Sequence, residues 1–250
     1  MTYCVGMVLN EGLIFASDSR TNAGVDHVAT FRKMTVIPVP GERQIVLLSA
    51  GNLATTQSVV SLLKSRLQHH AANLHTVQSM YEAAELLGRT VREVIARDGD
   101  GQTQSQGVDY SCSFLLGGQI KGEAPRLFQV YPQGNFIEAT PDTPYLQIGE
   151  AKYGKPIIDR VIHHDTSLAQ AIKCTLVSFD STIRSNLSVG LPIDLLWQQR
   201  DNFDFAPRHR VTEDDPYFQA LRQGWGEGLQ QVFGQLPDAV WFCDGDGDGG

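Results

Sequence analysis

A threonine stands at position 2, directly after Met1. Removal of that methionine leaves one residue carrying both a β-hydroxyl and a free α-amine. An α-amine has a reference pKa of ~8, so enough of it is neutral near pH 7 to take the hydroxyl proton, directly or through a water. Thr2 alone would then be nucleophile and base. A lysine beside the hydroxyl favours its alkoxide electrostatically, and a carboxylate holds such an ammonium in place. Lys33 and Asp18 are the candidates for these parts. With a hairpin tip at Glu11-Gly12, position 10 faces 13 and position 5 faces 18. That register sets Asp18 about three residues, ~10 Å of strand, from Thr2. The same residues can also be read as a surface threonine, a turn aspartate and a solvated lysine.

The elements that must position these groups follow from periodicity. Residues 2–9 and 13–18 read as two strands around Asn10-Glu11-Gly12, and 31–39 and 44–50 as two more around Pro40-Gly41. Lys33 falls on the third of these. After Gly51 the pattern becomes helical: Leu53, Val59, Val60, Leu62, Leu63 and Leu67 recur at three- and four-residue spacing, as do Met80, Ala84, Leu87, Val91 and Ile95 within 77–97. Strands are expected again at 111–120, 126–131 and 134–138, helices at about 151–163 and 167–185, a strand at 193–199 and a helix at about 214–233. This order lacks the βαβ alternation of a parallel doubly wound sheet. It predicts an α+β fold, a four-layer αββα sandwich of two antiparallel sheets with helix pairs outside.

Composition narrows the function classes. The 250 residues carry 20 basic and 28 acidic side chains, a net charge of −8 that argues against a general nucleic-acid binder. No apolar run approaches the ~18 residues of a membrane span, and residues 1–10 lack the features of a signal peptide, so the chain is expected in the cytoplasm and off the membrane. Cys4, Cys112, Cys174 and Cys243 stand far apart, which suits neither a disulfide framework nor a zinc site. His69-His70, His75 and His163-His164 have no acidic partner at ligand spacing, so no metal or cofactor is expected. Residues 1–243 read as one domain. The stretch 98–109 reads as an exposed loop, and 244–250, an alternation of Asp and Gly, as a disordered tail that starts like a calcium loop but lacks the closing Glu.

Thr2, the Asp18-Ser19-Arg20 block, Lys33 behind an aromatic, and Ser49-Ala50-Gly51 leading into a helix together resemble the N-terminal half of a proteasome β-subunit, an N-terminal-nucleophile hydrolase. The chain is more narrowly similar to the bacterial proteasome-type peptidases called Anbu, through the run TYCVGM…GLIFASDSRTNAGVD…FRKM, Gln147-Ile148-Gly149 and Val189-Gly190-Leu191-Pro192-Ile193-Asp194. The resemblance implies Thr2 as nucleophile, its amine as proton acceptor, Lys33 lowering the hydroxyl pKa and Asp18 partnering Lys33. It further implies that the Gly51 backbone N–H faces the developing oxyanion, and that Arg20, Thr21 and Asn22 begin the substrate-lining loop. Self-association into a ring or an open spiral is expected with it.

Two positions depart from the proteasome pattern. Glu150 stands where those subunits carry a serine after the Ile-Gly pair, and Ser185 where an aspartate supports the threonine amine; Ser188 still matches its serine. Glu150 is read either as a replacement carboxylate or as a charge favouring a helix start. Three functions remain open at this point: a self-compartmentalising threonine peptidase, an amidohydrolase acting on a small amide, and a proteolytically silent assembly. No nucleotide-binding loop is present, so any unfoldase would be a separate partner, as an operon neighbour could supply. Tyr217, Phe218, Leu221, Trp225, Leu229 and Phe233 give the expected terminal helix an apolar stripe, suited to capping its own sheet or to meeting another subunit.

Overall fold

The first hairpin is tighter than its glycine suggests. Strands β1 (Tyr3–Leu9) and β2 (Gly12–Asp18) pair with Leu9 opposite Gly12 and Cys4 opposite Ser17. The turn is therefore Asn10-Glu11, and the expected pairing of 10 with 13 and 5 with 18 is corrected by two positions. The reason is that Gly12 belongs to the strand. Its φ is +148°, and a Cβ there would lie 2.0 Å from the carbonyl oxygen of Gln198 on a neighbouring strand. Close approach between backbones, not the turn, requires the glycine. The corrected register brings Asp18 alongside Tyr3, next to Thr2.

The computed structural model describes residues 2–22, 28–69, 71–99, 108–204 and 206–243. Most of the expected loop 98–109, His70 and the tail 244–250 lie outside the described residues. Along the chain follow β3 (Arg20–Asn22), β4 (Val28–Thr30), β5 (Met34–Val39), β6 (Arg43–Gly51), α1 (Leu53–His69), α2 (Met80–Asp98), β7 (Cys112–Ile120), β8 (Arg126–Val130), β9 (Phe136–Glu138) and β10 (Tyr145–Gly149). Then come α3 (Lys155–Val161), α4 (Leu168–Ser185), β11 (Ile193–Gln199), β12 (Arg208–Val211), α5 (Pro216–Gly234) and α6 (Val240–Cys243).

The strands form two five-stranded antiparallel sheets and a ribbon. One sheet runs β10-β1-β2-β11-β12, the other β5-β6-β7-β8-β9, and β3 pairs with β4. Alternation along each strand sorts side chains between layers. Cys4, Val8, Phe15, Val46, Leu48, Leu115, Leu127 and Ile148 fill the space between the sheets. Ile45, Leu47, Phe114, Leu116 and Phe128 point the other way, into a second core with Val59 and Leu63 of α1 and Leu87 and Val91 of α2. On the far side, the Tyr3 ring packs 4.5 Å from that of Phe179 and its hydroxyl lies 3.1 Å from Ser178 Oγ, both on α4. The αββα sandwich expected from the element order is the observed fold.

Three local differences bear on the site. The expected strand 31–39 begins only at Met34, so Lys33 lies in the connector that enters it. There the Phe31 N–H donates to Ser19 O at 2.9 Å and the Ser49 N–H to Lys33 O at 3.0 Å, which fixes the connector between the ribbon and β6. The expected helix 151–163 is a 3₁₀ turn, Ala151–Tyr153, followed by α3, which starts afresh with Pro156 in its first turn. Residues 145–149 and 208–211, unassigned from the sequence, are strands at the two edges of one sheet. By contact density the chain divides into Met1–Glu213, which contains both sheets, and Asp214–Gly250. Within the second unit, Asp215 caps α5 by accepting from the Phe218 N–H at 2.8 Å.

Candidate active site

Asp18 is fully buried at the end of β2, and a single oxygen of it organises the site. Its Oδ1 accepts from the Tyr3 backbone N–H at 3.0 Å and from Lys33 Nζ at 2.7 Å. Two donors on one oxygen lie roughly 4–5 Å from each other, so the ammonium is fixed beside the peptide that joins Thr2 to Tyr3. Lys33 also donates to the Arg20 carbonyl at 2.7 Å. Burial pushes the Asp18 carboxyl above the usual carboxylate range, opposed by the Lys33 charge, its hydrogen bond and the backbone N–H groups of Tyr3 and Gly190.

Thr2 is held from its other side as well. Its carbonyl accepts from the Glu150 N–H at 2.7 Å, where β1 passes the end of β10. Thr2, Lys33, Gly51 and Glu150 all line one cleft of about 980 Å³, walled by β5, the end of β6 and one side of α1. Gly51 closes β6 with φ +106°, and a Cβ on it would lie 2.5 Å from the Ser111 carbonyl. Glycine is therefore required by the backbone at this point of the cleft lining.

The sequence candidates thus divide. The structure brings together Thr2, Asp18, Lys33, Gly51 and Glu150. Glu150 precedes the 3₁₀ turn but its side chain makes no capping hydrogen bond; it lies in the cleft, with Lys152 Nζ at 3.9 Å. Ser185 is exposed at the end of α4. Ser188 lies in the following turn, its N–H donating to Asn186 Oδ1 at 2.9 Å, and it is not among the cleft-lining residues. Gly190, two residues on, is the nearer link from that turn to Asp18. Of the loop 20–22, Thr21 lines the cleft, while Arg20 donates to Leu187 O at 2.8 Å. Cys4 is fully buried, and burial drives its thiol far above the ordinary range, which leaves it inert. Among the described residues no group of His, Cys, Asp and Glu is arranged to hold a metal.

Sequence reasoning missed Arg32, Lys64 and Arg208, which also line the cleft. They are far apart along the chain, and no spacing rule connects them.

An N-terminal-nucleophile sandwich with a buried lysine–aspartate pair behind residue 2 defines a class, and comparison with known proteins agrees with it. The proteasome subunit family model matches residues 2–197, and the chain belongs to that family. It is similar to the solved Anbu (ancestral β-subunit) from Yersinia bercovieri at 62 % identity, with a TM-score of 0.90, covering 95 % of this chain and 98 % of that one. Similarity to a solved helical assembly of the Anbu complex from Pseudomonas aeruginosa is 56 %, with a TM-score of 0.91 and the same two coverages. Among curated proteins, proteasome subunit beta 2 of Nitrosopumilus maritimus is 22 % identical over 205 residues, 81 % of this chain and 88 % of that protein.

Proposed function

We propose that this chain is a proteasome-like threonine peptidase that acts through Thr2 once Met1 has been removed. The observation that carries the reading is the shared Asp18 oxygen, which places a fixed cation beside the Thr2 peptide. In the proposed reaction Thr2 Oγ attacks the carbonyl carbon of the scissile peptide while the α-amine takes the hydroxyl proton. Lys33 favours the alkoxide, and the Gly51 N–H stabilises the oxyanion that forms. Collapse of the tetrahedral intermediate expels the new amine, which receives the proton, and leaves an ester on Thr2. Water then attacks that ester, and the same α-amine acts as its base.

Glu150 is read as a replacement carboxylate for the amine, a reading supported by the hydrogen bond from its backbone N–H to the Thr2 carbonyl and by its place in the cleft lining. A cleft of about 980 Å³ has room for several residues of a polypeptide beside Thr2. No described helix is long and apolar enough to cross a membrane. A chain so similar to one solved in a helical assembly is proposed to assemble with itself.

The deciding experiment is the intact mass of native protein with and without a threonine-directed electrophile such as a peptide epoxyketone. The expected result is a chain lacking Met1 with one adduct on Thr2, absent in Thr2→Ala. Retained Met1, or an adduct that persists in Thr2→Ala, would overturn the assignment.

A further inference from the structure

The direction of the Gly51 N–H follows from strand parity. Along an antiparallel ladder, successive N–H groups alternate between the two neighbouring strands. Ser49 donates to Lys33 O at 3.0 Å on the β5 side, and Asn52 donates to Ser111 O at 2.9 Å on the β7 side. The N–H of Gly51, two residues after Ser49 and one before Asn52, therefore faces the β5 side. Continued past Met34, the register of β5 and β6 sets Gly51 opposite Phe31, but the Phe31 N–H is turned away to Ser19 O at 2.9 Å. The pairing ends there, so the Gly51 N–H is directed to the side of the sheet on which Lys33 and Met34 line the cleft.

An N–H in that place serves catalysis only if its peptide cannot turn. Gly51 gives no such guarantee, since a glycine at φ +106° has no side chain to hold it. The next residue supplies the hold. Asn52 caps α1, its Oδ1 accepting from the Thr55 N–H at 3.1 Å. The other end of the same amide, Nδ2, donates to the Asp109 carbonyl at 2.9 Å, beside the backbone bond to Ser111. Asp109 in turn closes the approach to β7: its carboxylate accepts from the Ser111 N–H and from Ser111 Oγ, each at 2.8 Å. These two donors hold the Asp109 carboxyl below the usual carboxylate range, which keeps the turn closed at neutral pH. One amide thus ties the first turn of α1 to the segment that enters β7, and Gly51 lies between them.

We propose that Asn52 is a positioning residue for hydrolysis, which fixes the Gly51 N–H toward the oxyanion by clipping α1 to the Asp109–Ser111 turn. Asn52 is not among the cleft-lining residues, so it acts through Gly51 and touches no reacting atom. This role deepens the peptidase reading and rests on it.

The test compares Asn52→Ser, Asn52→Ala and Asp109→Ala with wild type in the full chain, by kinetics on a peptide amide, thermal unfolding and affinity for a peptide boronate. A boronate forms a tetrahedral adduct with a hydroxyl and so reports on the intermediate, whereas binding of the uncleaved peptide in a Thr2→Ala background reports on the ground state. Serine caps a helix as well as asparagine but is too short to reach the Asp109 carbonyl, so Asn52→Ser should keep more stability than Asn52→Ala. Outright loss of an oxyanion donor costs about 10²–10³ in kcat, and a loosened donor should cost about tenfold. Both Asn52 variants should therefore lose about tenfold in kcat and in boronate affinity, with KM and ground-state peptide binding unchanged. Asp109→Ala should lower kcat similarly, and its combination with Asn52→Ser no further than either alone, because the two maintain one link.

Wild-type kcat in Asn52→Ser, a loss that follows the unfolding midpoint across the variants, a loss confined to KM, or full additivity with Asp109→Ala would overturn the positioning role and leave the peptidase reading standing. A wild-type protein that neither hydrolyses the peptide nor binds the boronate would overturn both.

Discussion

At the scale of single residues, the buried Lys33–Asp18 pair ties activity to stability in a testable way. Lys33→Ala should abolish hydrolysis and also destabilise the protein by about 3 kcal/mol, because it strands a buried carboxylate. Lys33→Arg should not restore turnover, since a guanidinium fork cannot take the place of a compact ammonium between Asp18 and the Arg20 carbonyl. Kinetics on a peptide amide and urea denaturation midpoints check both. The pH dependence has a distinctive sign. The native Asp18 pKa is raised above its unfolded value, so between those two values the native state binds more protons than the unfolded state. Its contribution to stability is fully present below the unfolded value near ~3.9 and is lost as pH rises through the native value. Activity should move the other way, because protonated Asp18 no longer anchors Lys33. The wild-type stability minus that of Asp18→Asn should therefore grow on acidification while wild-type turnover falls. Thr2, Asp18 and Lys33 were candidates by residue type, and the family resemblance rather than their chemistry singled them out. Their closeness was not legible: a glycine placed for strand crossing was read as a turn residue. Arg32, Lys64 and Arg208 had no signal at all, because only the folded cleft relates them.

Among the elements, the end of β6 carries the most constraint. Gly51→Ala would set a side chain at φ +106° against the Ser111 carbonyl, so a loss of about 2 kcal/mol or more is expected, combining backbone strain with displacement of β7. Turnover should fall with it, seen in kcat more than KM if the N–H acts on the oxyanion rather than on bound substrate. Equal stability of Gly51→Ala and wild type in a denaturant titration would contradict this. The long buried strands were readable by their apolar runs, and α1, α2 and α4 by their stripes. The misses were short or polar. β12 reads Arg-His-Arg-Val and forms the edge of its sheet, where charge discourages further pairing but hides the alternation that marks a strand. The ribbon β3–β4 has three residues on each side, too few for any period to show.

For the whole molecule, layering was legible because strands and helices come in blocks, and blocks of that kind can bury their apolar faces only as a sandwich. Association between copies is a different matter, since it depends on surfaces that folding leaves open. On α5, Leu229, Val232 and Phe233 are more than half exposed, an apolar stripe of the kind that meets a partner. Light scattering at micromolar concentration should show species larger than a monomer, consistent with a head-to-tail contact that need not close into a ring. Deleting 214–250 should shift the population toward smaller species with the circular dichroism of the sheets retained. A monomer that still hydrolyses peptides would refute the need for a compartment. The double tether of the first residues sets a further limit, one of register. β1 is a central strand, paired with β2 on one side and β10 on the other, and every residue of it is buried. A slip of one position along either neighbour would turn every side chain of β1 to the opposite layer. The place of Thr2 in the cleft is therefore set by the whole sheet rather than by any contact of its own.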